Sequence, residues 1–171
     1  LLYHGVIHKG RGLSQLIKLT SKLSNITSII IGDGVDKKKY IKIAAGLNLK
    51  KRVIFISKIP YLNLLNYASA CDFGWCLIDD KSLSYKYALP NKLFEYLFAG
   101  LPIIASRSIN IQKIIEKYGV GLCVDYNNAQ QQIDAVLFLI KNQKESIYYQ
   151  QIASKNFIWD KQKINFLKIF N

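Results

Sequence analysis

A chain of 171 residues, half of them hydrophobic, is enough for one well-packed domain and short for two. Its 24 Lys+Arg against 11 Asp+Glu leave a formal charge of +13, which suits phosphates, an anionic membrane surface or nucleic acid and by itself chooses none of them. No apolar run approaches the roughly twenty residues of a spanning helix, and no charged-then-apolar leader precedes the first strand, so the chain reads as cytoplasmic, at most peripheral at the inner face of the cell membrane.

Lysine clusters such as Lys37-Lys38-Lys39 and the run from Lys161 to Lys168 read as solvated helix faces before they read as a binding stripe. Cys71 and Cys76 fall in a segment that reads as one strand, with an odd spacing that puts them on opposite faces. Buried free thiols are therefore expected rather than a disulfide or a zinc site. The chain holds no methionine, even at position 1, which suggests a piece of a longer protein.

In chain order, Leu1 to Gly5 reads as a first strand, and Leu13, Leu16, Ile17, Thr20 and Leu23 mark an amphipathic helix behind it. Between them runs the basic, glycine-punctuated loop Val6 to Gly12. Gly10 and Gly12 allow close backbone approach and Arg11 offers a planar fork of donors to a diphosphate, although a plain structural turn explains the same residues. A dinucleotide fingerprint fails because its third glycine would fall at Gln15, and no Walker loop is present. His4 and His8 flank Gly5 at the strand-to-loop transition; a metal there would lack further ligands, so structural or phosphate-facing roles are expected. Ile26 to Ile31 is a β-branched strand ending in the turn Gly32-Asp33-Gly34, followed by a lysine-rich helix to about Leu47. Arg52 to Ser57 is the third strand, and Lys58-Ile59-Pro60-Tyr61 leads into a helix from Leu62 to Ala70. Cys71 to Ile78 is the fourth strand and Asp79 to Leu89 a long polar loop rich in tyrosine.

The stretch Pro90 to Ser106 reads as loop, helix and buried strand: a proline at the first helical position, a helical run, a glycine stop at Gly100 and an unbroken apolar segment. The backbone N–H groups of Asn91, Lys92 and Leu93 would lack intrahelical partners, which makes the helix start a site for a phosphate. Glu95 lies one turn inside, on the same side as Asn91, where a carboxylate can accept two hydrogen bonds from a vicinal diol. A phosphate and a diol side by side describe a nucleotide. Beyond it, Ile109 to Tyr118 reads as a helix, Gly119 to Val124 as a sixth strand, Asn128 to Asn142 as a helix, and the tail from Lys144 as amphipathic closing helices. Strand and helix alternate throughout, which argues an α/β, doubly wound, six-stranded parallel sheet of Rossmann-like type with helices on both faces.

Asn91-Lys92-Leu93-Phe94-Glu95-Tyr96, followed by Ala99 to Ser106 with its Gly100-Leu101-Pro102, closely resembles the nucleotide-binding segment of the retaining glycosyltransferases of group 1, which have the two-domain GT-B fold. The resemblance implies that Glu95 holds the ribose hydroxyls of a nucleotide sugar and that Asn91, Lys92 and Leu93 face its phosphates. It also puts Arg11 and Gly12 on the diphosphate, the turn Gly32-Asp33-Gly34 close to the nucleotide, and Ile59 with its neighbours along the base, with Tyr61 over the base face. Val6 stands where the family often carries an arginine, and Tyr87 where many members carry a first glutamate that touches the sugar or its phosphate; the loop Asp79 to Leu89 would sit over the donor sugar. The closing segment 144–171 resembles the family's final helix.

On that resemblance the chain is one nucleotide-sugar-binding domain, residues 1–171, working without metal or cofactor on a saccharide or lipid-linked acceptor, and its missing partner is an N-terminal acceptor-binding half. No nucleic acid is expected. Two alternatives stay open, a GT-B sugar-nucleotide epimerase half and a non-catalytic basic domain that docks on an anionic membrane.

Overall fold

Short β-branched and apolar runs bounded by glycine or polar turns fold as strands covered on both sides. They are β1 (Leu2–His4), β2 (Ser28–Ile31), β3 (Val53–Ile56), β4 (Gly74–Cys76), β5 (Ile103–Ser106) and β6 (Gly121–Val124). Between and after them come α1 (Leu13–Lys22), α2 (Lys37–Gly46), α3 (Tyr61–Ser69), α4 (Leu83–Lys86), α5 (Asn91–Phe98), α6 (Ile109–Tyr118), α7 (Ala129–Asn142), α8 (Ser146–Asn156) and α9 (Trp159–Leu167). The structure is a computed structural model and describes residues 1–79 and 81–167. Asp80 of the polar loop, Lys168 of the lysine run and the last residues of the closing segment lie outside that description.

All strand pairs are parallel, in the order β3-β2-β1-β4-β5-β6. The side chains of a strand alternate between two cores, Tyr3 packing with α1, α2 and α7 on one face and Leu2 with α3, α5, α6 and α8 on the other. This is the doubly wound sheet that the alternating pattern predicts. Its strand order reverses between β1 and β4, where crossovers leave to opposite faces. Tyr96 of α5 spans the reversal: its hydroxyl donates to the carbonyls of Leu2 and Trp75, 3.1 and 3.2 Å away. No helix among the described residues is long and apolar enough to cross a membrane.

Several expectations change. β4 is only three residues long, so Cys71 precedes it, and both Cys71 and Cys76 pack into the core beneath α3 and α5 instead of facing opposite sides. All three cysteines are free thiols; of the two expected to be buried, Cys76 is buried and Cys71 half-buried, and burial pushes Cys76 up to about 11 and Cys123 up to about 12. The polar loop contains α4, capped by Ser82, whose Oγ accepts from the Tyr85 N–H at 3.2 Å. Pro90 is extended (φ −75°, ψ 143°) and precedes α5 rather than forming its first helical residue. The tail divides at Phe157 into α8 and α9, and α8 lies against α5, with Ser146 over Gly100 where any side chain on the glycine would strike it.

Candidate functional site

A cleft of about 610 Å³ opens at the carboxyl ends of β1 and β2. Its floor is the end of β1, Tyr3 to Val6; one wall is the turn after β2 together with the start of α3; the facing wall is the start of α5. The far wall is tied together by Asp33, whose carboxylate accepts from Lys37 Nζ at 2.6 Å and from the Lys58 N–H at 2.8 Å. Those two donors, Lys37 first, hold the Asp33 carboxyl below the usual carboxylate range.

α5 supplies the facing wall because its buried stripe, Leu93, Tyr96 and Leu97, turns Asn91, Lys92 and Glu95 toward the opening. Glu95 is mostly covered and its carboxyl is raised by burial, while the Tyr61 hydroxyl and the Lys92 ammonium pull it back. Its Oε2 lies 3.3 Å from His4 Nε2, but the two are not an ion pair: burial first, then the charge of Lys92, hold His4 down at about 3, so its ring is neutral. The His4 Nε2 has no aligned hydrogen-bond partner, and the ring packs edge-on against Tyr96 with centroids 5.0 Å apart. Lys92 Nζ sits 3.7 Å from the centre of the Tyr3 ring, and burial brings its pKa down to about 8. The cleft is thus cationic at the α5 side and carries one covered carboxylate beside it.

Arg11 enters from the loop between β1 and α1. Its Nε donates to His8 Nε2 at 3.1 Å, and its guanidinium lies over the Tyr85 ring, 4.9 Å from the centroid.

Of the residues expected at the site, Arg11, Ile59, Asn91, Lys92 and Glu95 line the cleft together. Four others do not line it. Gly12 is left-handed (φ 70°) at the head of α1, seated on β4: a side chain there would meet Leu77, and its carbonyl accepts from the Trp75 indole N–H at 2.9 Å. Gly34 packs its backbone against Ile7, with no room for a Cβ. The Leu93 N–H is not free, since the first turn of α5 tightens so that it donates to the Pro90 carbonyl at 3.0 Å, and the Leu93 side chain is core. Tyr87 is exposed, with its carbonyl accepting from Asn110 Nδ2 at 2.7 Å. Asp33, from the Gly32-Asp33-Gly34 turn, and Lys58, a neighbour of Ile59, line it as well, together with residues the sequence did not assign to the site, among them Tyr3 and Leu64. Val6, in the place of the family's arginine, lines the cleft and is exposed. Among the described residues no group of three or more His, Cys, Asp or Glu gathers as metal ligands.

Residues 1–156 match the family described as Glycosyl transferases group 1. The chain belongs to that family. The chain superposes on solved structures over nearly its whole length: sucrose-phosphate synthase (tll1590) from Thermosynechococcus elongatus with TM-score 0.82 at 17% identity, covering 99% of this chain and 44% of that one. Alr3699/HepE of Anabaena, solved in complex with UDP, gives TM-score 0.79 at 19% identity, covering 99% and 48%. The similarity fits a domain like the C-terminal half of a GT-B glycosyltransferase, and a C-terminal domain of a group 1 family protein (LpcC) from Francisella tularensis superposes with TM-score 0.66 at 23% identity, over 89% of this chain and 78% of that one. A curated relative, "Glucosyltransferase 3" of Streptococcus parasanguinis, is 28% identical over 109 residues, 63% of this chain and 31% of the relative. The chain therefore spans about a third of the length of that relative.

Proposed function

We propose that this chain is the donor-binding half of a retaining, metal-independent glycosyltransferase, holding a nucleoside diphosphate sugar in the cleft at the β1/β4 reversal. The observation that carries the reading is the placement of Glu95 one turn inside α5, covered yet open to the cleft, with Lys92 and Arg11 on the same cavity. A covered carboxylate suits a ribose diol, which brings two O–H donors. The two cations and the start of α5 suit a diphosphate, and they would stabilise the charge that develops on it as the bond to the sugar breaks. Ile59 and Tyr61, on the other wall, offer a backbone edge and a ring to a base. The complex of HepE with UDP supports the same ligand class here. The acceptor, on this reading, is bound by a second domain of the full-length protein, in keeping with relatives about twice as long or more.

Calorimetric titration with UDP, GDP and ADP tests the reading. One of the three is expected to bind selectively and saturably. Glu95→Ala removes charge-assisted hydrogen bonds worth about 1.5–3 kcal/mol, so that affinity should drop about ten- to hundredfold with the fold intact. An unchanged dissociation constant in Glu95→Ala sinks the assignment.

A further inference from the structure

The β4–α5 loop reaches back to the Arg11 loop at three points. The Asp79 N–H donates to the Gly10 carbonyl at 2.9 Å. The Tyr85 ring is so close to Gly10 that a Cβ there would lie 3.2 Å from it. The same ring lies beneath the Arg11 guanidinium, 4.9 Å from centroid to Cζ. Tyr85 is in turn fixed from behind: its N–H is held by the Ser82 cap, its carbonyl accepts from Ser108 Oγ at 3.4 Å, and Asn110 holds the next turn through the Tyr87 carbonyl at 2.7 Å. From the other side, His8 closes on the guanidinium. Its Nδ1 lies 2.6 Å from the Lys9 carbonyl and its Nε2 3.1 Å from Arg11 Nε, a pair of contacts that one neutral tautomer satisfies, with the proton on Nδ1 donated to Lys9 and the Nε2 lone pair accepting from Arg11.

We infer that Tyr85 and His8 are positioning residues for Arg11, holding its guanidinium aimed into the cleft so that its remaining donors meet a diphosphate already oriented. An arginine side chain loses much rotamer freedom when it grips a ligand, and a ring below with an acceptor beside it remove that freedom beforehand. The grip on the diphosphate is then set by the loop after β4 as well as by the loop that carries the arginine. This inference rests on the reading of Arg11 as a diphosphate ligand, and the experiment separates the two.

The test titrates UDP and uridine into the wild-type chain and into Arg11→Ala, Tyr85→Leu, Tyr85→Phe, His8→Leu and the double variant Arg11→Ala/Tyr85→Leu. Tyr85→Leu and His8→Leu are each expected to weaken UDP by about three- to tenfold and to leave uridine unchanged. Tyr85→Phe keeps the ring and most of the affinity. The double variant should bind UDP no more weakly than Arg11→Ala alone, since a side chain that acts through Arg11 has nothing left to act on. A structural role for Tyr85 would instead add its loss to that of Arg11→Ala and lower uridine binding too, which overturns the inference. So does a UDP affinity untouched by both Tyr85→Leu and His8→Leu while Arg11→Ala loses it; in that case the diphosphate reading stands alone. Should GDP or ADP be the diphosphate that the wild-type chain selects, the same variants are titrated with it and its nucleoside. If Arg11→Ala treats the diphosphate and its nucleoside alike, or if none of the three diphosphates binds the wild-type chain, the Arg11 assignment and the brace fall together.

Discussion

Lys92 carries the sharpest consequence at the scale of one residue. Burial holds its pKa at about 8, with the Tyr3 face 3.7 Å from the ammonium and Arg11 and Glu95 acting in opposite directions. A bound diphosphate favours the charged form, so diphosphate affinity should fall as pH rises through about 8, well below the range where a solvated lysine loses its charge. The free fold responds in the opposite sense. Its lysine pKa is lowered relative to the unfolded chain, so the cost of keeping the ammonium in a dry site is fully present below about 8 and is relieved as pH rises toward the ordinary value of 10.5. Lys92→Arg, charged throughout, should flatten the binding profile. Calorimetry with UDP between pH 7 and 9.5 decides it, and a wild-type profile as flat as that of Lys92→Arg would remove Lys92 from the phosphate site.

At the scale of elements, the C-terminus of α1 and the start of β3 are joined by one side chain. Arg52 Nη1 donates to the carbonyls of Thr20 and Leu23, each at 2.7 Å, and to that of Ile26 at 3.2 Å, collecting the orphan acceptors at the end of α1 and of the turn that feeds β2. Arg52→Ala should cost about 1.5–3 kcal/mol in urea unfolding, and a loss below about 0.5 kcal/mol would mean that water replaces these bonds freely. Elements of this kind were largely legible in the sequence. The alternation of period-two and helical patterns gave the order and type of the main elements, and Pro90 to Ser106 was readable because its stop and start signals coincide with its periodicity. α4 was not, because four residues carry no period. Nor were the roles of Gly12 and Gly34, since a glycine announces that something comes close without saying what. In both cases the neighbour is the protein itself, Leu77 and the Trp75 indole for one and the Ile7 backbone for the other. The contacts of Arg11 with Tyr85 and of Asp33 with Lys58 join segments far apart in the chain, and no local pattern encodes them.

At the scale of the molecule, the cleft exists because α5 crosses the place where the strand order turns back. Gly74 makes that crossing close: a Cβ on it would run into the Tyr96 ring, whose hydroxyl bridges the Leu2 and Trp75 carbonyls on either side of the reversal. Gly74→Ala should therefore cost about 1–3 kcal/mol or more, with Tyr96 displaced and both Glu95 and Lys92 moved with it, so that nucleotide affinity falls alongside thermal stability. Retained affinity in a destabilised Gly74→Ala protein would show that α5 is held at the site by other contacts.

The chain has two tryptophans. Trp159 is exposed, while Trp75 is wholly buried with its indole N–H on the Gly12 carbonyl, directly behind Arg11. Their emission is therefore separable by colour and by collisional quenching: a red, quenchable component from the closing helix and a blue, protected one from the floor of the loop that carries Arg11. A ligand that pulls on that loop is expected to strain the bond to Gly12 and to shift the blue component alone, so that a fluorescence titration would read occupancy without an added label.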